Sequence, residues 1–398
     1  MPLQENGKIF KSLDETYNRF TFLLAVGLMY PNPKTDKMRT AGLCVIYLLC
    51  VPMFLILCND IRIRQQNNDV QNLVRQVVIF VALMFANTKS FLTIIYKKEL
   101  REIYDSINVD YAAFNDLPED FQELVEDTIN KSKSLETVWL AIVSTTGGIF
   151  PGSALLLNVY FFLFTDTPRR FMLHECHIWN LTPEQQYSSP VYEIFFLYCC
   201  FITLVIVLGF SGFDGMFSIC MFHLSLKIKI IMKKLEYVLD KSDLAKTKAN
   251  IAQILRDQSE VYNLRDKLLK GYEVWLVLIF ILSVTQTAMA LSQITSSKQM
   301  SGATLSFILF GVTCTAHIYF PCYLSSEVTH TAAKVSDVLY STQWEDISDT
   351  SIRRSIMFMI ARAQKPMVFK AMDLITFNME MFMSVMQTAY SMLTLLRK

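Results

Sequence analysis

The stretch Val191–Met232, VYEIFFLYCCFITLVIVLGFSGFDGMFSICMFHLSLKIKIIM, decides the class of this chain. It follows Pro190, contains no further proline, and stays apolar along its whole length. Roughly forty residues of helix measure ~60 Å, about twice the ~30 Å hydrocarbon core of a bilayer. The segment therefore predicts a helix that crosses a membrane and continues beyond it.

Working outward, seven stretches reach membrane length, at approximately 38–58, 72–95, 136–164, 191–222, 272–293, 301–323 and 368–396. An earlier apolar run, Phe20–Tyr30, is too short to span. Arg19 stands directly ahead of it, but no small-residue cleavage site follows, so it reads as an interfacial or re-entrant helix rather than a signal peptide. Segments 117–135 and 250–271 are amphipathic at helical spacing. In the second, Ile251, Ile254, Leu255, Val261, Leu264 and Leu268 approximate one face. These helices read as extending past the bilayer to pack in an anchor bundle suited to subunit contact, the alternative being separate amphipathic helices that lie on the membrane.

Composition agrees. Of 398 residues, 52% are hydrophobic and 18% charged, below the ~25% charged of a soluble domain. A net charge of +1 excludes the basic footprint of a nucleic-acid binder. The nine cysteines mostly lie in apolar runs without metal or disulfide spacing. Only Cys58 and Cys176 fall near one outer surface, where a disulfide between them is conceivable. No internal repeat divides the chain, so it reads as one domain over 1–398. Residues 1–37 form an inner terminus, 38–323 six spans, 324–366 an inner helical segment and 367–398 the last helix.

Lysine and arginine set the orientation. With the N-terminus inside, 27 of the 37 fall in inner segments and seven in outer ones. The reading is N-terminus cytoplasmic, C-terminus extracellular. A G-protein-coupled receptor has the opposite sense. Its landmarks are also missing: the last span reads Met386-Gln387-Thr388-Ala389-Tyr390-Ser391 rather than N-P-x-x-Y. Of two glycosylation motifs, Asn180 falls outside and Asn130 inside.

In the last span, Glu380, Ser384, Gln387, Ser391 and Thr394 recur at spacings of four and three. That puts five polar side chains on one stripe of an otherwise apolar helix. Such a stripe meets another helix or water, and an acid at membrane depth favours water. Asp373 is expected on the same helix face as Glu380.

The C-terminal third carries a family resemblance. Ser336, Tyr340, Trp344, Arg354, the run Ala363-Gln364-Lys365-Pro366, Phe382 and the pair Tyr390-Ser391 resemble the closing signature of the insect odorant receptors. Asp214 sits where that family often has an acid. The related gustatory receptors end in a different pattern from the SMLTLLRK found here, and a homotetrameric gustatory-type channel is the alternative. The family's co-receptor has a long insertion that the second inner loop lacks, so the chain resembles an odour-specific subunit.

The resemblance implies a ligand-gated, non-selective cation channel, a heterotetramer with the co-receptor, in the plasma membrane of olfactory neuron dendrites. It needs no G protein, cofactor or metal. It places the odorant site in the outer halves of spans two, three, four and six. Candidates there are Phe80, Met84, Gly148, Gly152, Tyr192, Phe195, Phe196, Thr304, Phe307 and Ile308, whose apolar character suits small volatile molecules. The resemblance also puts the narrowest point of the pore at Leu393, with Leu396 one turn beyond. The outer loop 165–190, with His174, His177 and Trp179, is a candidate lid. No catalytic motif stands out, and the duplicated halves of a transporter are absent.

Overall fold

A computed structural model describes residues 9–165, 169–179, 181–239, 243–296 and 302–396; Asn180 lies outside the described residues. The chain folds as α1 (Leu13–Thr16), α2 (Asn18–Val26), α3 (Asp36–Gln66), α4 (Val70–Ile95), α5 (Lys97–Phe114) and α6 (Glu119–Phe164). There follow the short α7 (Pro183–Gln186), then α8 (Val191–Glu236), α9 (Leu244–Ser296), α10 (Gly302–Tyr340) and α11 (Thr350–Ala363). A small antiparallel hairpin, β1 (Lys370–Ala371) and β2 (Ile375–Thr376), precedes α12 (Met379–Leu396). The protein is an all-α membrane protein, and among the described residues six helices (α3, α4, α6, α8, α9 and α10) are long and apolar enough to cross a bilayer.

The long helices extend as their sequences require. α6 and α8 have 46 residues each and α9 has 53, so each outreaches the hydrocarbon core by a wide margin. α8 is the central post. Every residue from Gly209 to Met221 is buried, and α2, α4, α6, α9 and α10 surround it. Helix α9 buries Ile251, Ile254, Val261, Leu264 and Leu268 as its spacing predicts. Leu255 is 36% exposed, and Gln258 takes the buried position between Ile254 and Val261. Helix α2, expected at an interface, docks on α8 through buried Phe20 and Leu24. It can do so because α8 presents Gly212 and Gly215: a Cβ on Gly215 would clash with the Phe20 ring, and one on Gly212 would stand 3.2 Å from Leu24.

Inside a membrane, a broken helix needs its freed backbone groups satisfied by protein. Pro52 lies inside α3 and interrupts its ladder. Tyr198 of α8 inserts its hydroxyl there, accepting from the Met53 amide at 3.0 Å and donating to the Leu49 carbonyl at 2.7 Å. One side chain thus mends α3 and fixes α3 to α8.

The last segment departs from expectation. A continuous helix over 368–396 is replaced by the hairpin followed by an 18-residue helix. Met372 and Asp373 adopt positive φ, 50° and 54°, which a helix excludes and a tight turn uses. Asp373 therefore does not share a helix face with Glu380. Asn378 starts α12, its Oδ1 accepting from the Met381 amide at 2.8 Å, as an N-cap asparagine does. Glu380 then falls in the first helical turn, where the helix dipole favours an acid, rather than part-way along a span.

Gly215→Leu should overpack the α2–α8 contact and cost about 1–3 kcal/mol. Detergent thermal-stability measurements should show a lowered melting temperature, whereas Gly148→Ala, with nothing within 4 Å of its Cβ position, should leave it unchanged.

Candidate functional site

The described residues form two apolar cores. The larger surrounds α8 from Phe210 onward and includes α5 and the early part of α9. The smaller joins the far ends of α3, α4 and α8 to residues 172–176 of the segment between α6 and α8. A cavity of about 100 Å³ lies between α4, α6, α8 and α10. Its walls are apolar: Val78, Ile79 and Ala82 from α4, Val143 and Phe150 from α6, Ile206 and Val207 from α8, and Phe310 from α10. Gly147 belongs to the wall because a Cβ there would strike Val207, so this glycine lets α6 and α8 close beside the cavity. Thr146 and Thr313 bring their hydroxyls to 2.6 Å, and Thr313 also donates to the Leu309 carbonyl at 3.0 Å.

The roof is the loop after α6. His174 lines the cavity, and the chain beside it is tied down by polar bonds. Arg64 and Gln76 both donate to the Glu175 carbonyl, at 3.0 and 2.8 Å. Asp60, fully buried, receives the Arg64 guanidinium at 2.6 Å and the His177 backbone amide at 3.0 Å. Asp69 joins Arg64 at 3.0 Å and caps α4 through Asn72. The bonds from Asn72 hold the Asp69 carboxyl below the usual carboxylate range, with the Arg64 charge assisting. These bonds tie the described part of the loop, around Glu175 and His177, to α3 and α4.

The floor is Phe210, and beneath it lies a buried ionic cluster. The Lys89 ammonium sits 3.7 Å from the Phe210 ring centroid and 2.7 Å from Asp214. His317 is 3.0 Å from the same Asp214 oxygen and 3.1 Å from Lys89. Trp139 stacks on His317 at 5.8 Å and donates to the Phe210 carbonyl at 3.1 Å. α4, α6, α8 and α10 thus meet at one charged point directly below the cavity.

The ten expected ligand residues sit on α4, α6, α8 and α10, the helices around this cavity, but none of them lines it. Tyr192, Phe195 and Phe196 pack in the smaller core, joined by Phe80, which meets Phe54 edge-to-face at 5.3 Å. Met84 is 36% exposed, and Gly148 and Gly152 face open space. Thr304 and Phe307 are buried elsewhere on α10, and Ile308 is half-buried there. The actual lining residues are their near neighbours, one to a few positions along each helix.

Helix α12 divides cleanly. Glu380, Ser384, Gln387, Ser391 and Thr394 are all exposed, while Val385, Ala389 and Leu393 are buried against the subunit, where α9 and α10 are the neighbours. Leu393, at 4% exposure, is turned away from the polar stripe and packs within the subunit. Leu396 ends the helix, and its side chain lies outside the described residues. Of the cysteines, Cys58 is exposed and Cys176 buried, and neither is bonded, so the conceivable disulfide is absent. Among the described residues no cluster of three His, Cys, Asp or Glu side chains is placed to hold a metal.

Long apolar helices surround an apolar cavity, and comparison with known proteins assigns the family. The family model described as 7tm Odorant receptor matches residues 69–390, and the chain belongs to that family. It is a family of receptors, not of enzymes. Odorant receptor Or2 of Anopheles gambiae is 35% identical over 74 residues, covering 19% of each chain. Odorant receptor 82a of Drosophila melanogaster is 21% identical over 215 residues, 54% of this chain and 55% of that one. The chain thus matches about half or less of the length of these curated relatives. The insect olfactory receptor OR5 from Machilis hrabei, solved in complex with eugenol, shares the fold over 95% of this chain and 96% of that one. Its TM-score is 0.77 at 16% identity.

Asp214→Ala should strand the Lys89 charge in an apolar interior and cost about 3–5 kcal/mol. Thermal unfolding of purified protein should show the loss, and the double change Lys89→Met with Asp214→Leu should recover most of it.

Proposed function

We propose that this protein is the odour-specific subunit of a ligand-gated, non-selective cation channel that detects small volatile apolar molecules. The observation that carries the reading is the apolar cavity, bordered by a hydrogen-bonded loop and floored by Phe210. An apolar molecule gains binding energy there through burial of its surface. The ligand contacts are assigned to this cavity, with the sequence-derived group around Tyr192 and Phe195 as its outer support.

The proposed orientation has the N-terminus and the anchor bundle in the cytoplasm and the His174 loop outside, as the lysine and arginine distribution favours. One domain serves both binding and conduction. Ions pass along the exposed stripe of α12, where Glu380 attracts cations at one mouth. Leu393 and Leu396 would reach the path only through a rotation of α12, a movement that gating could supply. Partner subunits, the family's co-receptor among them, meet the signature surface: Tyr340, Arg354, Gln364, Lys365 and Pro366 are all exposed, as surface chemistry for assembly requires. The assembly is a heterotetramer in the dendritic plasma membrane of olfactory sensory neurons.

The test is whole-cell current from cells expressing the chain alone and with an insect co-receptor, during application of volatile esters, alcohols, aldehydes and terpenoids. Odorant-evoked current that requires both chains is the expected result. Current from the chain alone would replace the heteromer with a homomeric channel, and silence despite surface expression would remove the channel reading. In responding cells, Ala82→Phe should fill the cavity and abolish the odorant response at unchanged surface level. Glu380→Gln should lower calcium permeability relative to sodium; equal permeation would remove Glu380 from the ion path.

A further inference from the structure

His174 is the odd residue of the cavity. Every wall hydroxyl is committed: Thr203 donates to the Cys199 carbonyl at 3.0 Å, Thr313 to the Leu309 carbonyl, and Thr146 pairs with Thr313. The imidazole of His174 is 5% exposed, lines the cavity, and has a buried Nδ1 with no hydrogen-bond partner. Its neighbour is the Phe150 ring at 6.0 Å, which offers it no conventional partner. A buried polar atom left unpaired is destabilising, and proteins retain one chiefly where something else completes it.

We propose that His174 completes its hydrogen bonding with the ligand, so that the cavity selects small volatile molecules carrying one oxygen function, an alcohol, phenol or carbonyl, over hydrocarbons of the same shape. This deepens the ligand-cavity reading given above and rests on it. Burial, assisted by the Arg75 charge, pushes the imidazole down to about 4. A neutral ring presents one donor and one acceptor nitrogen, so it matches either a hydroxyl or a carbonyl. The cavity, about 100 Å³, is of the order of the ~150 Å³ that admits benzene, which sets the scale at one small ring or a short chain. A hydrocarbon there would leave the imidazole unpaired, and the discrimination expected from one neutral hydrogen bond is on the order of tenfold.

The experiment measures binding rather than current. Full-length protein in lipid nanodiscs is titrated with two shape-matched pairs, benzyl alcohol against ethylbenzene and pentanol against hexane, and dissociation constants are taken from ligand-dependent thermal shifts. Wild type should bind each alcohol on the order of tenfold more tightly than its hydrocarbon. His174→Leu should erase the difference by gaining the hydrocarbon and losing the alcohol, and His174→Gln should keep part of it. Should His174→Leu fail to fold, the wild-type pairs and His174→Gln decide. Equal affinities in wild type, a preference that survives His174→Leu, or no binding of either alcohol would each overturn the proposal. Odorant current with equal affinities would sink this proposal alone, whereas the selectivity without any current would uphold it and sink the channel reading.

Discussion

Lys89 has no water to turn to, and the architecture is organised around its answer. Its side chain is 0% exposed, on a helix placed to cross the bilayer, where an unpaired charge is costly. Asp214 supplies the opposite charge, His317 a further polar contact, and the Phe210 ring a cation–π face. These partners come from α8 and α10, so the charge cannot be satisfied unless α4, α8 and α10 converge at one level. Trp139 and Trp275 then bring α6 and α9 against His317. Apolar packing alone cannot impose such register, because lipid competes equally well for an apolar side chain.

The same reasoning explains what could be read in advance. Span lengths, the overlong α8 and the buried stripe of α9 beyond the membrane follow from apolar run length and period. In water, an amphipathic helix declares its buried face, as Ile251, Ile254, Val261, Leu264 and Leu268 do. Within a bilayer that contrast disappears, since lipid and protein interior are both apolar. The phase of α4, α6, α8 and α10 was therefore illegible from hydropathy, and the expected residues lie on the helices around the cavity without lining it. Gly148 and Gly147 show how fine the distinction is: one faces open space, the other holds the cavity wall against Val207.

Where polarity returns, so does legibility. The stripe from Glu380 to Thr394 is exposed as its spacing requires. The error at 368–378 had a signal that was present but unread: Asn378 directly before Met379-Glu380 is an N-cap followed by an acid in the first turn. Leu393 was placed by resemblance, and its burial among α9 and α10 is a property of this conformation that no residue count could supply. Lys89 and His317 were visible as polar residues within apolar segments, but nothing in the linear sequence paired them with each other or with Asp214.

Magnitudes limit how an occupied cavity could act on the rest. A tiny ligand reaches at best about 1.5 kcal/mol per heavy atom, and only the part that differs between two conformations can shift their balance. Separating Lys89 from Asp214 would cost several kcal/mol with no water to compensate. A ligand that displaced the Phe210 floor would therefore meet less resistance in carrying the ionic cluster with it than in breaking the cluster apart. The cluster thus packs as one unit between the cavity and the helices around it. α9 and α10, both seated against it, are also the helices on which α12 rests, so a displacement of Phe210 has a short packed route to the polar stripe.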